Sequence, residues 1–317
     1  MQISFLPVLV AAAGALTACS TATPGSPTAA ASSSGATVSV SASASSTTAS
    51  VGPAPTPTGQ SQRAAAPPTT VRATSGSVPT SLPSIAGPGP SAGCPVPANR
   101  VLQSAPGVGK TVALTFDDGA SSVMPQAATI LKANGVNAAT FFDTGLHDAA
   151  FRSAVRQVSA MGFLIEDHTW DHLYPSQVPG GWTLSYLRDQ IASTARQQRQ
   201  FTGRPSCLFR PPGGFTANVM AAARDEGMSV ALWSVDTLDW QQPGHYDPAY
   251  VDLIVHRATT LTTNISHPVV LMHVGKASHE PDSQVSPYRG NTLAALPAII
   301  NWYRTHGYRF VDLLGGT

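Results

Sequence analysis

Two histidines four positions apart, His168 and His172, stand in the stretch EDHTWDH, and two acids, Asp117 and Asp118, follow the earlier apolar run TVALTF. Two imidazoles and one carboxylate with an open fourth position are the ligand set of a catalytic zinc-type site. The open position of such a site holds a water whose pKa the metal lowers toward neutrality. These residue types therefore predict metal-assisted hydrolysis.

The two adjacent aspartates are expected to have different roles in such a site. Asp117 and Asp118 lie at the end of a predicted strand, where successive side chains face opposite ways. We therefore expect one to bind the metal and the other to stay free as the general base for the water. Because the sequence DDG is also common in turns, residue type alone leaves open which aspartate is the ligand.

Further polar residues follow other apolar runs. Arg210, in FRPPGG, could pair with the base and keep it ionised. His273, in LMH, could act as general acid for the leaving group, and Asp239, in DTLDW, could hold it protonated and oriented. Trp240 offers an apolar face for an acetyl group or a sugar ring. Asp236 precedes these residues and is interpreted as a capping acid outside the catalytic set.

Strands that end at one place are needed to bring these residues together. Between residues 110 and 312, short apolar runs rich in β-branched residues alternate with helical patterns. This alternation predicts an α/β domain with a parallel sheet covered by helices and a site at the carboxyl ends of the strands. It does not decide between an open sheet and a barrel. The predicted strands are 111–116, 138–143, 162–167, 207–210, 229–235, 268–273 and 308–313. Glycines that would end the helices are Gly135, Gly162, Gly203, Gly227 and Gly307.

The stretches TFDDGA, HTWDH, RPPGG, DTLDW and LMH occur in this order at the predicted strand ends. Together they resemble the five motifs of the polysaccharide deacetylases, carbohydrate esterase family 4, which carry the NodB homology domain. The resemblance covers about residues 110–312. It implies a distorted (β/α)7 barrel and one divalent metal ion, usually Zn²⁺, with Co²⁺, Ni²⁺ and Mn²⁺ as alternatives. It also implies removal of acetyl groups from N-acetylglucosamine polymers, or less often from O-acetylated xylan.

The resemblance also assigns roles to single residues. The base would be the first aspartate of TFDDGA and a metal ligand the second. The implied metal ligands are Asp118, His168 and His172, and the implied catalytic residues are Asp117, Arg210, Asp239 and His273.

This sequence departs from the family pattern at several positions. Gly213 replaces the usual Tyr of the groove motif, which keeps a backbone N–H for the oxyanion but removes a side-chain wall. Asp167 replaces the usual Asn before the first metal histidine, where it could raise metal affinity or only touch solvent. Ala120 and Val274 also differ from the residues usual there. None of these departures removes a chemical group that the mechanism needs.

The chain begins with an apolar run of signal-peptide length, residues 1–18, which ends in LTAC. Small residues before a Cys resemble the lipobox of bacterial lipoproteins, in which that Cys, here Cys19, is lipidated. The first residues, MQIS, lack the usual Lys or Arg, and an ordinary secretory signal is the alternative. We expect an exported protein, lipid-anchored at the cell surface or secreted.

Residues 19–93 consist mostly of Ala, Ser, Thr, Pro, Gly and Val, and they contain no aromatic residue. Such a segment cannot bury enough apolar surface to offset the entropy lost on ordering. It is predicted to be a disordered tether in front of a catalytic domain at 94–317. If Cys19 carries lipid, Cys94 and Cys207 remain as a pair, and export permits a disulfide between them. Two free thiols are the alternative.

Composition and motifs together limit the partners. The net charge is +1 and 11% of residues are charged, which gives no support for a nucleic-acid partner. We expect a monomer that acts on an acetylated glycan and meets the membrane only through its lipid anchor. Peptidoglycan is the favoured substrate, with chitin oligomers and acetylxylan as alternatives. A non-catalytic glycan-binding relative is the second class, although base, acid and ligands are all present. The stretch HEPDS could line the groove, and His279 within it is interpreted as a surface or packing residue.

Overall fold

The computed structural model describes residues 93–95, 99–145, 149–260 and 264–317. The predicted signal peptide, the lipidation site Cys19 and the predicted tether up to residue 92 lie outside these residues. None of the helices in the described ranges has the length and apolar character needed to span a bilayer.

Strands and helices alternate along the described part of the chain. The strands are β1 (Val101–Leu102), β2 (Thr111–Gly119), β3 (Thr140–Asp143), β4 (Leu164–Asp167), β5 (Leu208–Phe209), β6 (Ser229–Ala231), β7 (Val235–Asp236), β8 (Val269–His273) and β9 (Arg309–Phe310). The helices are α1 (Met124–Ala133), α2 (Ala149–Ala160), α3 (Leu184–Thr202), α4 (Val219–Asp225), α5 (Pro248–Thr260) and α6 (Gly290–Thr305). Short 3₁₀ turns occur at Pro175–Gln177, Pro212–Gly214 and Asp239–Gln241.

The strands form one curled sheet in the order β1-β6-β5-β4-β3-β2-β8-β7, and β9 pairs with the beginning of β2. The recorded pairings are parallel. All nine residues of β2 are buried because helices and neighbouring strands cover both of its faces. The carboxyl ends of the strands therefore meet along one edge, as the sequence predicts.

The predicted fifth strand, 229–235, is not one strand. It divides into β6, which pairs with β5, and β7, which pairs with β8. At the break the Arg210 side chain takes the place of a neighbouring strand, because its Nε and Nη2 donate to the carbonyls of Ala231 (3.4 Å) and Leu232 (3.1 Å). The continuous apolar pattern of SVALWSV gave no sign of this interruption.

Two apolar layers lie on either side of the sheet. The larger cluster joins the outer face of β2, β3 and β4 to helices α1, α2, α5 and α6, and Phe116 stacks there on Phe141 with ring centroids 4.9 Å apart. A smaller cluster inside the curl takes residues from β2, β3, β5, β6 and β8. Because strand side chains alternate, the inner face of β2 runs from Ala113 through Thr115 to Asp117, changing from apolar to polar toward the carboxyl end.

The helix ends and the cysteine pair agree with what the sequence predicts. The five glycines predicted to end helices all have positive φ, between 69° and 94°. Gly203, directly after α3, is the left-handed cap residue of that helix. Cys94 and Cys207 are joined by a disulfide, with their Cα atoms 5.3 Å apart. This bridge ties the beginning of the described chain to the amino end of β5.

Candidate active site

Strands β2, β4 and β8 deliver the site residues to one edge of the sheet. Asp117 and Asp118 lie near the end of β2, His168 follows directly after β4, and His273 is the last residue of β8. The register pairs Asp117 with His273 across β2 and β8. The loop after β4 then carries His172 back toward β2.

Asp118, His168 and His172 offer ligand atoms that lie within 4.8 Å of one another. Oδ1 of Asp118 is 3.5 Å from Nε2 of His168 and 3.2 Å from Nε2 of His172. Nδ1 of His168 donates to the carbonyl of Arg210 at 2.7 Å, which fixes the tautomer and leaves the Nε2 lone pair for a metal. The geometry brings the three predicted ligands together.

The polar atoms of this cluster fit a cation. All three residues are buried, with 8%, 2% and 4% exposure for Asp118, His168 and His172. Among the described residues, Oδ1 of Asp118 is one of the buried side-chain oxygens without a hydrogen-bond partner. Buried polar atoms without partners are costly, and imidazole lone pairs that face a carboxylate repel it. A divalent cation bound between Oδ1 of Asp118 and Nε2 of His168 and His172 would satisfy these atoms.

The backbone at the site lies in sparsely populated conformations. Asp118, Thr169 and His172 have φ of 63°, 68° and 59°, in the left-handed region that residues other than glycine rarely adopt. Each such residue costs about 1–3 kcal/mol and persists only where its surroundings hold it. Two of the three, Asp118 and His172, are predicted metal ligands. The strained backbone therefore coincides with residues that a metal site needs in fixed positions.

The expectation that Asp117 and Asp118 face opposite ways is wrong. Oδ2 of Asp117 lies 3.6 Å and Oδ1 of Asp118 3.5 Å from the same atom, Nε2 of His168. The positive φ of Asp118 and a register shift between Phe116 and Gly119 break the alternation of β2 at this point. Both carboxylates therefore face one cavity, and they differ in the residues that they contact.

Asp117 is held by a buried ion pair. Nη1 of Arg210 donates to Oδ1 of Asp117 at 2.7 Å and also to the hydroxyl of Thr115 at 2.9 Å. Arg210 is fully buried, and its guanidinium lies 4.0 Å from the ring centroid of Phe142. The ion pair fixes the position of the Asp117 carboxylate, and Oδ2 is left toward the cavity.

His273 is held by a second carboxylate. Its Nδ1 donates to Oδ1 of Asp239 at 2.7 Å, and its backbone N–H donates to Oδ2 at 2.9 Å. Thr292 also donates to Oδ2, at 2.7 Å. Burial alone would lower the pKa of His273, but the negative charge of Asp239 outweighs burial and raises that pKa to about 9. His273 is therefore protonated at neutral pH, as a general acid must be.

These groups share one cavity of about 190 Å³. Its lining includes the predicted substrate residues Gly213 and Trp240 and six residues outside the predicted site. Asp236 is one of the six; its Oδ1 caps the N–H of Leu238, as expected, yet its side chain also borders the cavity. The other five are Tyr174, Trp233, Leu271, Glu280 and Val285. Glu280 belongs to the stretch HEPDS, which could line the groove according to the sequence, whereas Tyr174 carries no sequence signal.

Asp167 neither touches solvent nor stands among the three grouped ligands. It is fully buried, and its Oδ1 accepts the N–H of Thr169 at 2.9 Å. Burial raises the pKa of Asp167 well above its usual range, which favours the neutral acid. A neutral acid offers the same acceptor as the Asn side chain usual here, so Asp167 helps to hold the loop that follows His168.

The space left by the missing side chain at Gly213 is filled by other aromatic residues. A Cβ on Gly213 would lie 3.0 Å from the ring of Phe215 and 3.2 Å from the ring of Tyr174. Gly213 also has a φ of 61°, which favours glycine. Phe215, which is 45% exposed, and Tyr174 therefore occupy the side of Gly213 on which that side chain would begin.

His279 lies beside the site, and the interpretation of it as a surface or packing residue missed this. Its Nε2 lies 3.0 Å from the carbonyl of His172, and its Nδ1 lies 2.9 Å from Nε2 of Gln177. The segment HEPDS does reach the groove, because Glu280 borders the active-site cavity.

Comparisons with known proteins agree with this geometry. A family model of polysaccharide deacetylases matches residues 104–231. A peptidoglycan-N-acetylglucosamine deacetylase of Bacillus cereus is 32% identical over 221 residues, which are 68% of this chain and 92% of that protein. A chitooligosaccharide deacetylase of a Bradyrhizobium species is 29% identical over 208 residues, 64% of this chain and 89% of that protein.

A solved structure of the Bc1960 peptidoglycan N-acetylglucosamine deacetylase superposes with a TM-score of 0.54 at 29% identity, covering 67% of this chain and 90% of that one. The predicted barrel fold is thereby confirmed. Together with the ordered motifs at the strand ends, these likenesses show that the chain belongs to the polysaccharide deacetylases of carbohydrate esterase family 4.

Proposed function

We propose that this chain is a metal-dependent hydrolase that removes N-acetyl groups from N-acetylglucosamine units of cell-wall peptidoglycan. The observation that carries the proposal is a single cavity holding three grouped metal ligands, an ion-paired base and a carboxylate-held acid. Both proton-transfer groups are fixed by buried partners, Arg210 for Asp117 and Asp239 for His273.

In the proposed reaction, water attacks the acetyl carbonyl carbon and the carbon–nitrogen bond breaks to give acetate and a free amine. A divalent cation held by Asp118, His168 and His172, with Zn²⁺ as the first candidate, would acidify the water and polarise the carbonyl. Asp117 accepts the proton of the attacking water through Oδ2. The backbone N–H of Gly213 donates to the developing oxyanion. His273 donates its proton to the departing nitrogen.

Support for peptidoglycan as the substrate comes from the Bacillus cereus relative, whose name gives that activity. Chitin oligomers are the second candidate, favoured by the Bradyrhizobium relative. The test is acetate release from peptidoglycan, N-acetylglucosamine oligomers and acetylxylan, before and after chelation and after return of Zn²⁺, Co²⁺, Ni²⁺ or Mn²⁺. We expect release from peptidoglycan that stops on chelation and returns with metal.

Two results would count against the proposal. Release that is insensitive to chelation would remove the metal from the mechanism. Binding of peptidoglycan without release of acetate from any substrate, in protein shown to contain metal, would favour the non-catalytic glycan-binding class.

We further propose that the enzyme works outside the cytoplasmic membrane, anchored by lipid on Cys19. The support is the LTAC sequence after the apolar run and the disulfide between Cys94 and Cys207, which suits an oxidising compartment. In cells, a Cys19→Ser variant should move from the membrane fraction to soluble fractions. An unchanged membrane fraction would contradict the anchor.

A further inference from the structure

A cluster of exposed basic side chains lies at the amino end of the sheet, away from the active-site cavity and unused by the proposed chemistry. Its members are Lys110, Arg304 and Arg309, and we call it the basic cluster. Lys110 directly precedes β2, and the register of β9 places Arg309 beside Thr111, the first residue of β2. Arg304 lies in the last turn of α6, the helix that leads into β9. A basic residue at the end of a helix suits the helix dipole, but Lys110 and Arg309 belong to no helix, so the dipole does not account for the cluster.

Contacts to carbonyl oxygens hold the basic cluster together but leave its charge in place. Nη2 of Arg309 donates to the carbonyl of Val108 at 2.9 Å, and Nζ of Lys110 donates to the carbonyl of His306 at 3.3 Å. Arg304 donates to the carbonyl of the residue that caps α1. All three basic residues are exposed, and among the described residues none of them has an acidic side chain within ion-pair distance. Three positive charges without an acidic partner therefore share one surface.

Lys110 and Arg309 flank an apolar loop tip. Val108 is 83% exposed, the largest exposed fraction among the large apolar residues of the described chain. Gly107 and Gly109 stand on either side of it with φ of 111° and 74°, and the guanidinium of Arg309 holds the loop through the carbonyl of Val108. Single exposed apolar residues are common on protein surfaces. An apolar tip among cations, however, is the combination that binds the interface of an anionic bilayer, through buried apolar area and attraction to the headgroups.

The chain also enters the described domain at this end. Cys94 is bonded to Cys207, which directly precedes β5. Pro95 and Arg100 line a groove of about 490 Å³ together with residues 106–107, which belong to the loop with the apolar tip. Arg100 is exposed and adds a fourth positive charge. The part of the chain that carries the proposed lipidation site therefore joins the domain at the end that bears the basic cluster.

We propose that this end of the domain docks on an anionic phospholipid bilayer. The basic cluster contacts the headgroup phosphates, and Val108 inserts at the boundary between headgroups and acyl chains. The positive charges complement the charge of the lipid, and the chain that leads to the proposed anchor joins the domain at the same end. The carboxyl ends of the strands then face away from the bilayer, which turns the active-site cavity toward polymer outside the membrane. This inference goes beyond the proposed function and needs neither the metal nor the catalytic residues.

The test uses the full chain carrying Cys19→Ser, which removes the proposed lipidation site. Lipid titration measures its partition coefficients on phosphatidylglycerol vesicles and on phosphatidylcholine vesicles. The apolar run at residues 1–18 meets both lipids, so the ratio of the two coefficients isolates the effect of lipid charge. We expect a ratio of about 100 at low salt, because each of three basic residues near an anionic surface contributes about fivefold. The ratio should fall as salt is added, since exposed charges are screened.

Removing two charges from the basic cluster, with Lys110→Gln and Arg309→Gln together, should lower the ratio about 25-fold. The matched control is the double substitution Arg152→Gln and Arg156→Gln, at two exposed arginines on α2. The control changes the net charge by the same amount and should keep most of the preference for phosphatidylglycerol. Circular dichroism checks that both double variants are folded.

Val108→Ser provides a further variant, because it changes only an exposed loop tip and leaves no cavity in the core. It should lower the partition coefficient on phosphatidylglycerol about threefold to tenfold, through loss of the inserted side chain. Binding of soluble polyphosphate, which has no apolar layer, should be unchanged in this variant.

Three results would overturn the proposal. A ratio near one for the unsubstituted surface would show that lipid charge is not recognised. An equal fall in the two double variants would show that net charge, and not this surface, attracts the lipid. Binding of vesicles and of polyphosphate that depends on Lys110 and Arg309 but not on Val108 would make the partner a soluble polyanion instead of a bilayer.

Discussion

Asp117 and Asp118 are neighbours in sequence, face one cavity and differ in their partners. Oδ1 of Asp117 accepts from Arg210, whereas Oδ1 of Asp118 lies between two imidazole nitrogens. An Asp117→Asn variant should keep its metal and lose activity by about 10²–10⁴-fold, since a general base contributes on that order. An Asp118→Asn variant should lose metal affinity as well as activity. Acetate release and metal content per chain, measured together, distinguish the two roles.

The matched control for these substitutions is Asp252→Asn, at an exposed aspartate on α5. It should keep both metal content and activity. Full activity of Asp117→Asn would disprove its role as the base. Loss of metal from Asp117→Asn would make that residue a ligand.

His273 gives the site its pH dependence. Its pKa of about 9 lies above the ordinary 6.5 because the charge of Asp239 outweighs the effect of burial. The proton needed by the leaving nitrogen is present below that pKa, so kcat should fall as pH rises through it. A bound cation lowers the pKa by repulsion, which places the alkaline limb at or below pH 9. For the same reason the ion pair stabilises the fold fully below pH 6.5 and loses its contribution as pH approaches 9.

An Asp239→Asn variant tests this account of His273. With the negative charge of Asp239 removed, burial is opposed only by the more distant Asp118 and Asp117, and the pKa of His273 should fall from about 9. The alkaline limb of kcat then moves to lower pH, and NMR titration of the ring in the chelated protein should show the same shift. An alkaline limb that stays in place would mean that another group supplies the proton.

Residue types and motif order predicted which residues the fold brings together, and the family resemblance chose Asp118 over Asp117 as the expected ligand. These residues lie at the carboxyl ends of strands, and the topology of a parallel sheet brings such ends together. Tyr174, Glu280 and His279 could not be found in this way. They reach the site through loops whose course depends on contacts such as the one between Tyr174 and Glu280.

Helix α3 holds the loop that carries His172. Oε1 of Gln190 accepts the N–H groups of Trp170 and Asp171, each at 3.0 Å, and its Nε2 donates to Oδ2 of Asp171 at 3.0 Å. The hydroxyl of Tyr186 also donates to Asp171, at 2.9 Å. The motif EDHTWDH assigns no role to Asp171. In the structure, Asp171 attaches the metal-binding loop to helix α3.

A Gln190→Ala variant should therefore bind Zn²⁺ about 10–100-fold more weakly. This is the usual loss of metal affinity when a residue that supports the metal ligands is removed. The helix itself should persist, since Ala is a good helix former. Competition with a chelator measures the affinity, and circular dichroism checks the helix content. Gln200→Ala, at an exposed position on the same helix, is the control. Equal Zn²⁺ affinity in both variants would show that the contacts from Gln190 on α3 do not hold the metal-binding loop in place.

Strand and helix positions were largely predictable because β-branched runs, helical patterns and terminal glycines agree with one another. The exception is the run 229–235, where β6 and β7 pair with different neighbours. An apolar run fixes burial but not the pairing partner. The break at Ala231 and Leu232 depends on the side chain of Arg210, which arrives from β5.

The disulfide and the active site lie at opposite ends of β5. Cys207 precedes this strand and Arg210 follows it, so the bridge to Cys94 is at the amino end of the sheet and the chemistry is at the carboxyl end. The bridge closes a loop with a sequence separation of 113 residues. By constraining the unfolded chain over so long a loop, the bridge raises the free energy of unfolding by about 2–5 kcal/mol.

A Cys94→Ser, Cys207→Ser double variant should consequently lose about 2–5 kcal/mol of unfolding free energy in urea, with kcat near that of the wild type. Replacing both cysteines avoids a free thiol, and wild type unfolded with a reductant present should match the double variant. Activity measured well below the unfolding midpoint separates the two effects. A large fall in kcat there would show that the bridge also positions Arg210. Unchanged stability would show that the segment around Cys94 is held by other contacts.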